Sequence, residues 1–200
     1  MLRRLWISVV LSTCLLGTAH AQQDDLSSQI EGVAEFINSQ EPYKLGGPSA
    51  AGIVADLDGQ WFPLNTVVRN WGDAGVGYGP EGVERSIATH CEGDPKDVTF
   101  IEATGWDSFS VREVLGEYQT EFIQELKSNG GRRFSISFDD EALIRSYGKQ
   151  DANSEEQGEI LDMAVKLKAL DVEFWRPSPD LLVSLGPFGL DVIGRCPTIP

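Results

Sequence analysis

The sequence predicts an α+β domain, rich in β-structure, that is built on an antiparallel sheet or barrel. Between residues 98 and 196 short apolar segments recur with turn residues between them, which gives roughly seven to nine strands with short connections. The segment 133–139 is the clearest strand, because its apolar residues alternate with serines and so present one apolar and one polar face. Apolar residues at helical spacing add a helix near the N-terminus and another near residues 153–170.

The first 21 residues have the three parts of a secretory signal peptide. Arg3 and Arg4 precede the apolar run 5–16, and the triplet 19–21 places small residues at a cleavage site. The run is shorter than the roughly 20 residues that cross a bilayer, and no later segment is long and apolar enough to do so. We therefore expect cleavage after Ala21, a periplasmic or secreted location, and no transmembrane segment in the mature chain.

The mature chain is strongly acidic. The whole sequence has 16 basic and 31 acidic residues, and loss of Arg3 and Arg4 leaves 14 basic residues and a net charge of −17. Such a charge repels nucleic acid and anionic lipid surfaces. We therefore expect no nucleic-acid partner.

The part of the chain before the sheet divides into a helix and a linker. Residues 24–40 have apolar side chains at helical spacing, and the stretch 41–59 is rich in glycine and proline. We therefore expect an N-terminal helix and linker at 22–57, followed by a single β-rich domain at 58–200.

Two segments open the predicted domain. Trp61 to Val68 is short and apolar and is predicted to pair as a strand. Residues 70–83 contain five glycines and a proline, so a long irregular loop is expected there.

The segment 111–128 fits two structures. Its apolar residues lie at helical spacing between a capping box and an Asn129-Gly130 stop, which predicts an amphipathic helix. The same residues can form two strands that turn at Gly116 and lead through Asn129-Gly130 into the strand at 133–139. Both interpretations remain open from the sequence alone.

Cys91 and Cys196 are the two cysteines that remain after the signal peptide is removed. In an oxidising compartment such a pair is typical of a disulfide, the alternative being two buried free thiols. The bridge would enclose about a hundred residues, which stabilises the fold by about 4 kcal/mol on the chain-entropy argument.

One triplet and one arginine carry a family resemblance. Gly59-Gln60-Trp61 opens the first predicted strand, and Arg195 lies in the last. From about residue 58 to 196 the chain thus resembles the lipocalin superfamily, in which an arginine from a late strand covers a first-strand tryptophan at the closed end of a barrel. The spacing of Cys91 and Cys196 is similar to the lipocalin habit of tying the C-terminal segment to the barrel.

The resemblance implies a lipocalin-like barrel, with Trp61 and Arg195 as structural residues. A helix at 153–170 that is followed by three strands departs from the family order of eight strands and then a helix. Another antiparallel α+β domain, with Trp61 simply packed in its core, is the alternative.

Aromatic residues along the predicted strands are the candidates for a ligand cavity. An aromatic-lined interior suits a small apolar ligand, whereas an ordinary packed core explains the same residues. The candidates are Phe100, Phe109, Tyr118, Phe134, Phe138 and Trp175.

Two acidic segments are candidates for metal binding or catalysis. The first matches the ligand positions of a calcium loop, although a charged helix start explains the same residues more simply; its residues are Asp151, Asn153, Glu155 and Asp162. The second, Asp139-Asp140-Glu141, could supply paired carboxylates or cap a following helical turn.

No catalytic motif is present, and His90 is the one histidine of the mature chain, so no catalytic residue and no cofactor are predicted. Arg176 is expected to be a structural cation paired with a carboxylate such as Asp180.

These observations favour an exported, non-enzymatic binding or accessory protein that holds a small apolar ligand. An envelope module that docks a protein partner through residues 22–57 is the first alternative. A carboxylate- or metal-dependent hydrolase that uses residues 139–141 is the second.

Overall fold

The computed structural model describes residues 14–39, 41–45, 49–73, 79–92, 99–115, 120–187 and 189–197. The described part contains eight strands: β1 Gly59–Pro63, β2 Thr99–Ala103, β3 Ser108–Leu115, β4 Thr120–Gly130, β5 Arg133–Phe138, β6 Asp171–Ser178, β7 Leu181–Gly186 and β8 Gly189–Arg195. It also contains six α-helices and a 3₁₀-helix: α1 Cys14–Asn38, the 3₁₀-helix Pro42–Leu45, α2 Ala50–Val54, α3 Asn65–Arg69, α4 Pro80–His90, α5 Asp140–Ser146 and α6 Ser154–Lys168.

The eight strands form a closed antiparallel barrel in which each strand pairs with its neighbours in the sequence. Closure comes from β8, which returns to β1 and places Arg195 opposite Trp61 and Gly194 opposite Phe62. Closure leaves the barrel without an unpaired sheet edge. The predicted fold class, a β-rich α+β barrel with an N-terminal helix and a helix near 153–170, is confirmed.

Side chains of the barrel alternate between an inner and an outer core. The inner core contains Trp61, Phe109, Phe134 and Phe174, all buried. On β1, β6, β7 and β8 the outward residues are also apolar, and α1, α3 and α4 cover them. These strands have apolar side chains on both faces because the helices bury the outer face.

The ambiguous segment 111–128 is a pair of strands. β3 and β4 run antiparallel with continuous pairing from Ser108 opposite Lys127 to Leu115 opposite Thr120. The strand register directs the side chains of Val111 and Leu126 into the barrel, where they join the inner core. The strand structure prevails over the helical spacing because a closed barrel requires each strand to pair on both of its edges. The turn expected at Gly116 lies outside the described residues.

Three local predictions need correction. Residues 41–59 do not form a plain linker, because a 3₁₀-helix and α2 lie within them. The strand expected from Trp61 to Val68 ends at Pro63, and α3 follows it.

The irregular loop expected at 70–83 gives way to α4 at Pro80. Proline is well suited to the first turn of a helix, and Val83 and Ile87 are buried on the outer core. The high glycine content concealed this short amphipathic pattern.

The N-terminal helix is longer than predicted and is part of the packed structure. It begins at Cys14, upstream of the expected cleavage site, and ends at Asn38. Its apolar face, which includes Leu26, Ile30 and Val33, is buried against the barrel and the neighbouring helices. Among the residues that the structure describes, no helix has both the length and the hydropathy to cross a membrane.

Candidate functional site

One end of the barrel is closed by α2 and the turn that follows it. Ile53, Val54 and Leu57 are buried against the inner core, so they plug this end. The indole Nε1 of Trp61 donates a hydrogen bond to the carbonyl oxygen of Leu57 at 3.0 Å. The strand is thus tied to the plug through a buried polar contact.

Arg195 covers Trp61 at the closed end. Its guanidinium carbon lies 5.0 Å from the centre of the Trp61 ring, within the range of a cation–π contact. The same guanidinium donates a hydrogen bond to the carbonyl oxygen of Asp56, and its Nε lies 3.8 Å from a carboxylate oxygen of Asp180. The contact couples the first and last strands to the plug.

Arg176 is a second cation at this end, and its hydrogen bonds go to backbone carbonyls in addition to its attraction to carboxylates such as Asp180. The guanidinium donates to four backbone carbonyl oxygens, those of Ile53, Ala55, Asp56 and Pro179. Ile53 is in the last turn of α2, and Ala55 and Asp56 follow it directly, so these carbonyls lie where a helix end leaves carbonyls without a partner. Burial, and then the charge of Arg195, lower the pKa of Arg176. The carboxylates of Asp56 and Asp180 act on Arg176 in the opposite sense, and Asp180 also lies 3.8 Å from Arg195.

Three phenylalanines form a floor across the middle of the barrel. The ring centres of Phe109, Phe134 and Phe174 are 5.3–5.4 Å apart, and both contacts of Phe174 are edge-to-face. Such aromatic contacts are favourable beyond the area they bury. The closed half of the barrel is therefore filled.

The open half of the barrel holds a cavity of about 710 Å³. Its apolar wall includes Val111, Phe122, Leu126, Ile136, Phe138 and Ile193. Leu143 of α5, Tyr147 directly after α5, and Leu167 of α6 lie at its mouth. This volume is within the range of about 300–1,000 Å³ that is typical of small-molecule sites.

Two acidic side chains project into this mainly apolar cavity. Glu113 follows Val111 on the inward face of β3, and Asp191 precedes Ile193 on the inward face of β8. Burial, and then the carboxylate of Asp191, raise the pKa of Glu113 above the ordinary value of a glutamate. Of the described residues that line the cavity, none is a lysine, arginine or histidine.

The predicted ligand residues separate into three groups. Phe109 and Phe138 line the cavity, and Phe134 lies in the floor beneath it. Phe100 and Trp175 are outside the barrel: Arg112 stacks on the Phe100 ring at 4.3 Å, and Trp175 is buried in the outer core. Tyr118 lies outside the described residues.

The calcium-loop residues are not brought together. Asn153 caps α6 and accepts hydrogen bonds from the backbone N–H groups of Glu155 and Glu156. Glu155 and Asp162 then lie two turns apart on this helix, roughly 10 Å along its axis. A calcium loop must wrap its ligands around one point, which a straight helix cannot do. No group of potential metal ligands is found among the described residues.

The acidic triplet 139–141 has a structural arrangement. Asp139 caps α5 and accepts from the N–H groups of Glu141 and Ala142. Asp140 pairs with Lys168 of α6 at 2.7 Å, and Glu141 lies 3.8 Å from Arg145 on the exposed face of α5. The three carboxylates do not converge on a cleft.

The predicted disulfide is present. Cys91, at the end of α4, is bonded to Cys196, just after β8, with their Cα atoms 5.5 Å apart. The bridge joins the end of the barrel to a helix that packs on its outer core. His90, beside the bridge, accepts a hydrogen bond at its backbone carbonyl from the Gln60 side chain.

Sequence reasoning missed Glu113 and Asp191. Once β3 is known to be a strand, the alternation Phe109, Val111, Glu113 places the glutamate on the inner face. Because the sequence allowed either a helix or a hairpin for residues 111–128, the inward position of Glu113 could not be predicted.

Comparison with known proteins gives no assignment: no family model matches the chain, and neither the curated proteins nor the solved structures include a significant match.

Proposed function

We propose that this protein is an exported, non-enzymatic binding protein that holds a small, largely apolar ligand in the open half of its barrel. The observation that supports this is the cavity of about 710 Å³ above the aromatic floor. The interior of a small barrel is usually filled by its own side chains, so an apolar space of this size suits a ligand.

The proposal includes a lipocalin-like barrel and a periplasmic or secreted location. The eight-stranded barrel, the Arg195 contact with Trp61 and the Cys91–Cys196 disulfide all agree with the resemblance. The insertion of α5 and α6 between β5 and β6 is the main departure from it. The disulfide supports an oxidising compartment.

The other two candidate functions receive less support. The segment expected to reach a partner is packed: α1 and α2 supply buried residues to the outer and inner cores. The carboxylates at 139–141 are engaged in a helix cap and ion pairs.

The proposal is tested by fluorescence titration with N-phenyl-naphthylamine, a neutral dye that brightens in apolar surroundings. Saturable binding is expected for the wild-type protein. Val111→Trp should abolish it, because the larger side chain would occupy the cavity. Should this variant fail to fold, Ile136→Phe fills the same wall with a smaller increase in volume.

Ile123→Trp is the matched control. Ile123 is adjacent to Phe122 on β4 but points outward, beside Phe100 and Arg112, where a second groove lies. The control should bind the dye as the wild type does. No saturable binding by the wild type, or loss of binding in Ile123→Trp but not in the Val111 and Ile136 variants, would contradict the proposal.

A further inference from the structure

We infer that the ligand has a basic head group as well as an apolar body, and that Glu113 and Asp191 bind this cation toward the open end of the barrel. This inference rests on the proposed function, since it concerns the same cavity. Its starting point is a cavity with an apolar wall and two carboxylates, in which the described lining residues include no basic side chain.

Asp191 is held in place by the protein. Asn65 donates from its side-chain Nδ2 to one carboxylate oxygen of Asp191 at 2.5 Å. The amide oxygen of Asn65 in turn accepts from the backbone N–H of Val192 at 2.6 Å. This arrangement fixes the orientation of Asn65 and of the carboxylate. No hydrogen bond between the second Asp191 oxygen and another described side chain is found.

Glu113 has no such support. Its carboxylate, which is partly buried, makes no ion pair or side-chain hydrogen bond with another described residue, although carboxylates removed from water are normally paired. The titratable side chains among the described residues of the cavity are Glu113 on β3, Asp191 on β8 and Tyr147 directly after α5. The charge that acts on Glu113 is that of Asp191, another carboxylate, which opposes ionisation of Glu113.

A bound cation would offset the repulsion between the two carboxylates. A bound ammonium group would favour the ionised form of both carboxylates and satisfy their free oxygens with charge-assisted hydrogen bonds. A fatty-acid anion would add a third negative charge to the same space. The carboxylates thus favour an amphiphilic amine over an anion of the same size.

The position of the two acids also gives the ligand an orientation. Glu113 is nearer the open end of β3 than Val111, and Asp191 is nearer the open end of β8 than Ile193. The apolar body of the ligand would therefore lie deep, against the floor, with the basic group toward the mouth.

The test uses three probes of equal chain length, octylammonium, octanol and octanoate, as competitors of the neutral dye. We expect the affinity of octylammonium, measured by displacement of the dye, to be at least about tenfold higher than that of octanol or octanoate. A difference of this size is typical of a hydrogen bond to a charged group. Its affinity should increase as the pH rises above the ordinary range of a glutamate, because Glu113, whose pKa is raised, then loses its proton while the alkylamine stays charged.

The variant Glu113→Gln/Asp191→Asn should reduce octylammonium affinity to that of octanol and leave octanol affinity unchanged. Glu125→Gln, an exposed position on β4, is the matched control and should bind as the wild type. If the double variant fails to fold, Glu113→Gln alone should reduce octylammonium affinity and remove its dependence on pH.

The outcomes separate the two proposals. If octanoate or octanol binds as tightly as octylammonium, or if the acid variants retain the preference, the inference is overturned while the cavity proposal stands. If none of the three probes displaces the dye and the dye itself does not bind, the proposed function fails.

Discussion

Gly194 gives the sharpest test of how the barrel closes. It lies on β8 opposite Phe62 of β1, and its outward face is covered by Leu64. A Cβ atom at this position would lie 2.6 Å from Leu64 Cδ1 and 3.1 Å from Phe62 Cε1 and Cζ. Carbon atoms pack at about 3.5–4.0 Å, so Gly194→Ala cannot be accommodated unless its neighbours move.

The neighbours have little freedom to do so, because Phe62 and Leu64 are both 0% exposed in the outer core. Overpacking of this kind costs about 1–3 kcal/mol. Replacing glycine lowers the entropy of the unfolded chain and offsets about 0.4–1 kcal/mol of that cost. The expected net loss is about 1–2 kcal/mol, or a fall in Tm of roughly 2–8 °C for a chain of this size.

Gly186→Ala on β7 is the control. Its added Cβ would lie 3.4 Å from Val172 Cγ2, an ordinary contact. Its stability should therefore equal or slightly exceed that of the wild type. Urea denaturation followed by circular dichroism measures both variants. Equal stability of the two variants would refute the tight packing of β1 on β8.

Three other changes have defined outcomes. Replacing Cys91 and Cys196 by serine should lower the free energy of unfolding by about 4–5 kcal/mol, because the bridge spans 105 residues; an unchanged urea midpoint would contradict the bridge. Trp61→Ala should cost about 3–5 kcal/mol, since the indole is fully buried; a near-neutral result in the same assay would remove it from the core. Glu113 binds its proton more tightly in the folded than in the unfolded state, because burial and Asp191 raise its pKa. Its contribution to stability therefore falls as the pH rises above the unfolded value of about 4.3. Glu113→Gln should raise Tm relative to the wild type at about pH 8 but not at about pH 4, and an equal difference at both pH values would disagree with the raised pKa.

Local patterns predicted those elements whose signal is contained within one segment. The alternation from Phe134 to Phe138 and the charged, capped start of α6 at Asn153 are of this kind. The cysteine pair was also readable, because a disulfide needs only two cysteines and an oxidising compartment.

Features that depend on the closed barrel could not be read in this way. Glu113 and Asp191 are 78 residues apart in the sequence, and only closure brings β3 and β8 around one cavity. The sequence does not distinguish Phe100 from Phe109 as a ligand residue, because both are phenylalanines on predicted strands. The register of β2 and β3 sends the first outward and the second inward.

The most direct test of the binding cavity is methyl NMR during titration with N-phenyl-naphthylamine. The aromatic rings of the dye shift nearby methyl resonances, so the signals show where it binds. We expect the methyl groups of Val111, Ile136 and Ile193 to shift with the affinity measured by fluorescence, while those of Val183 and Val192 in the outer core do not. Shifts confined to the outer core or to the surface, with the Val111 and Ile136 signals unchanged at saturation, would contradict a ligand site inside the barrel.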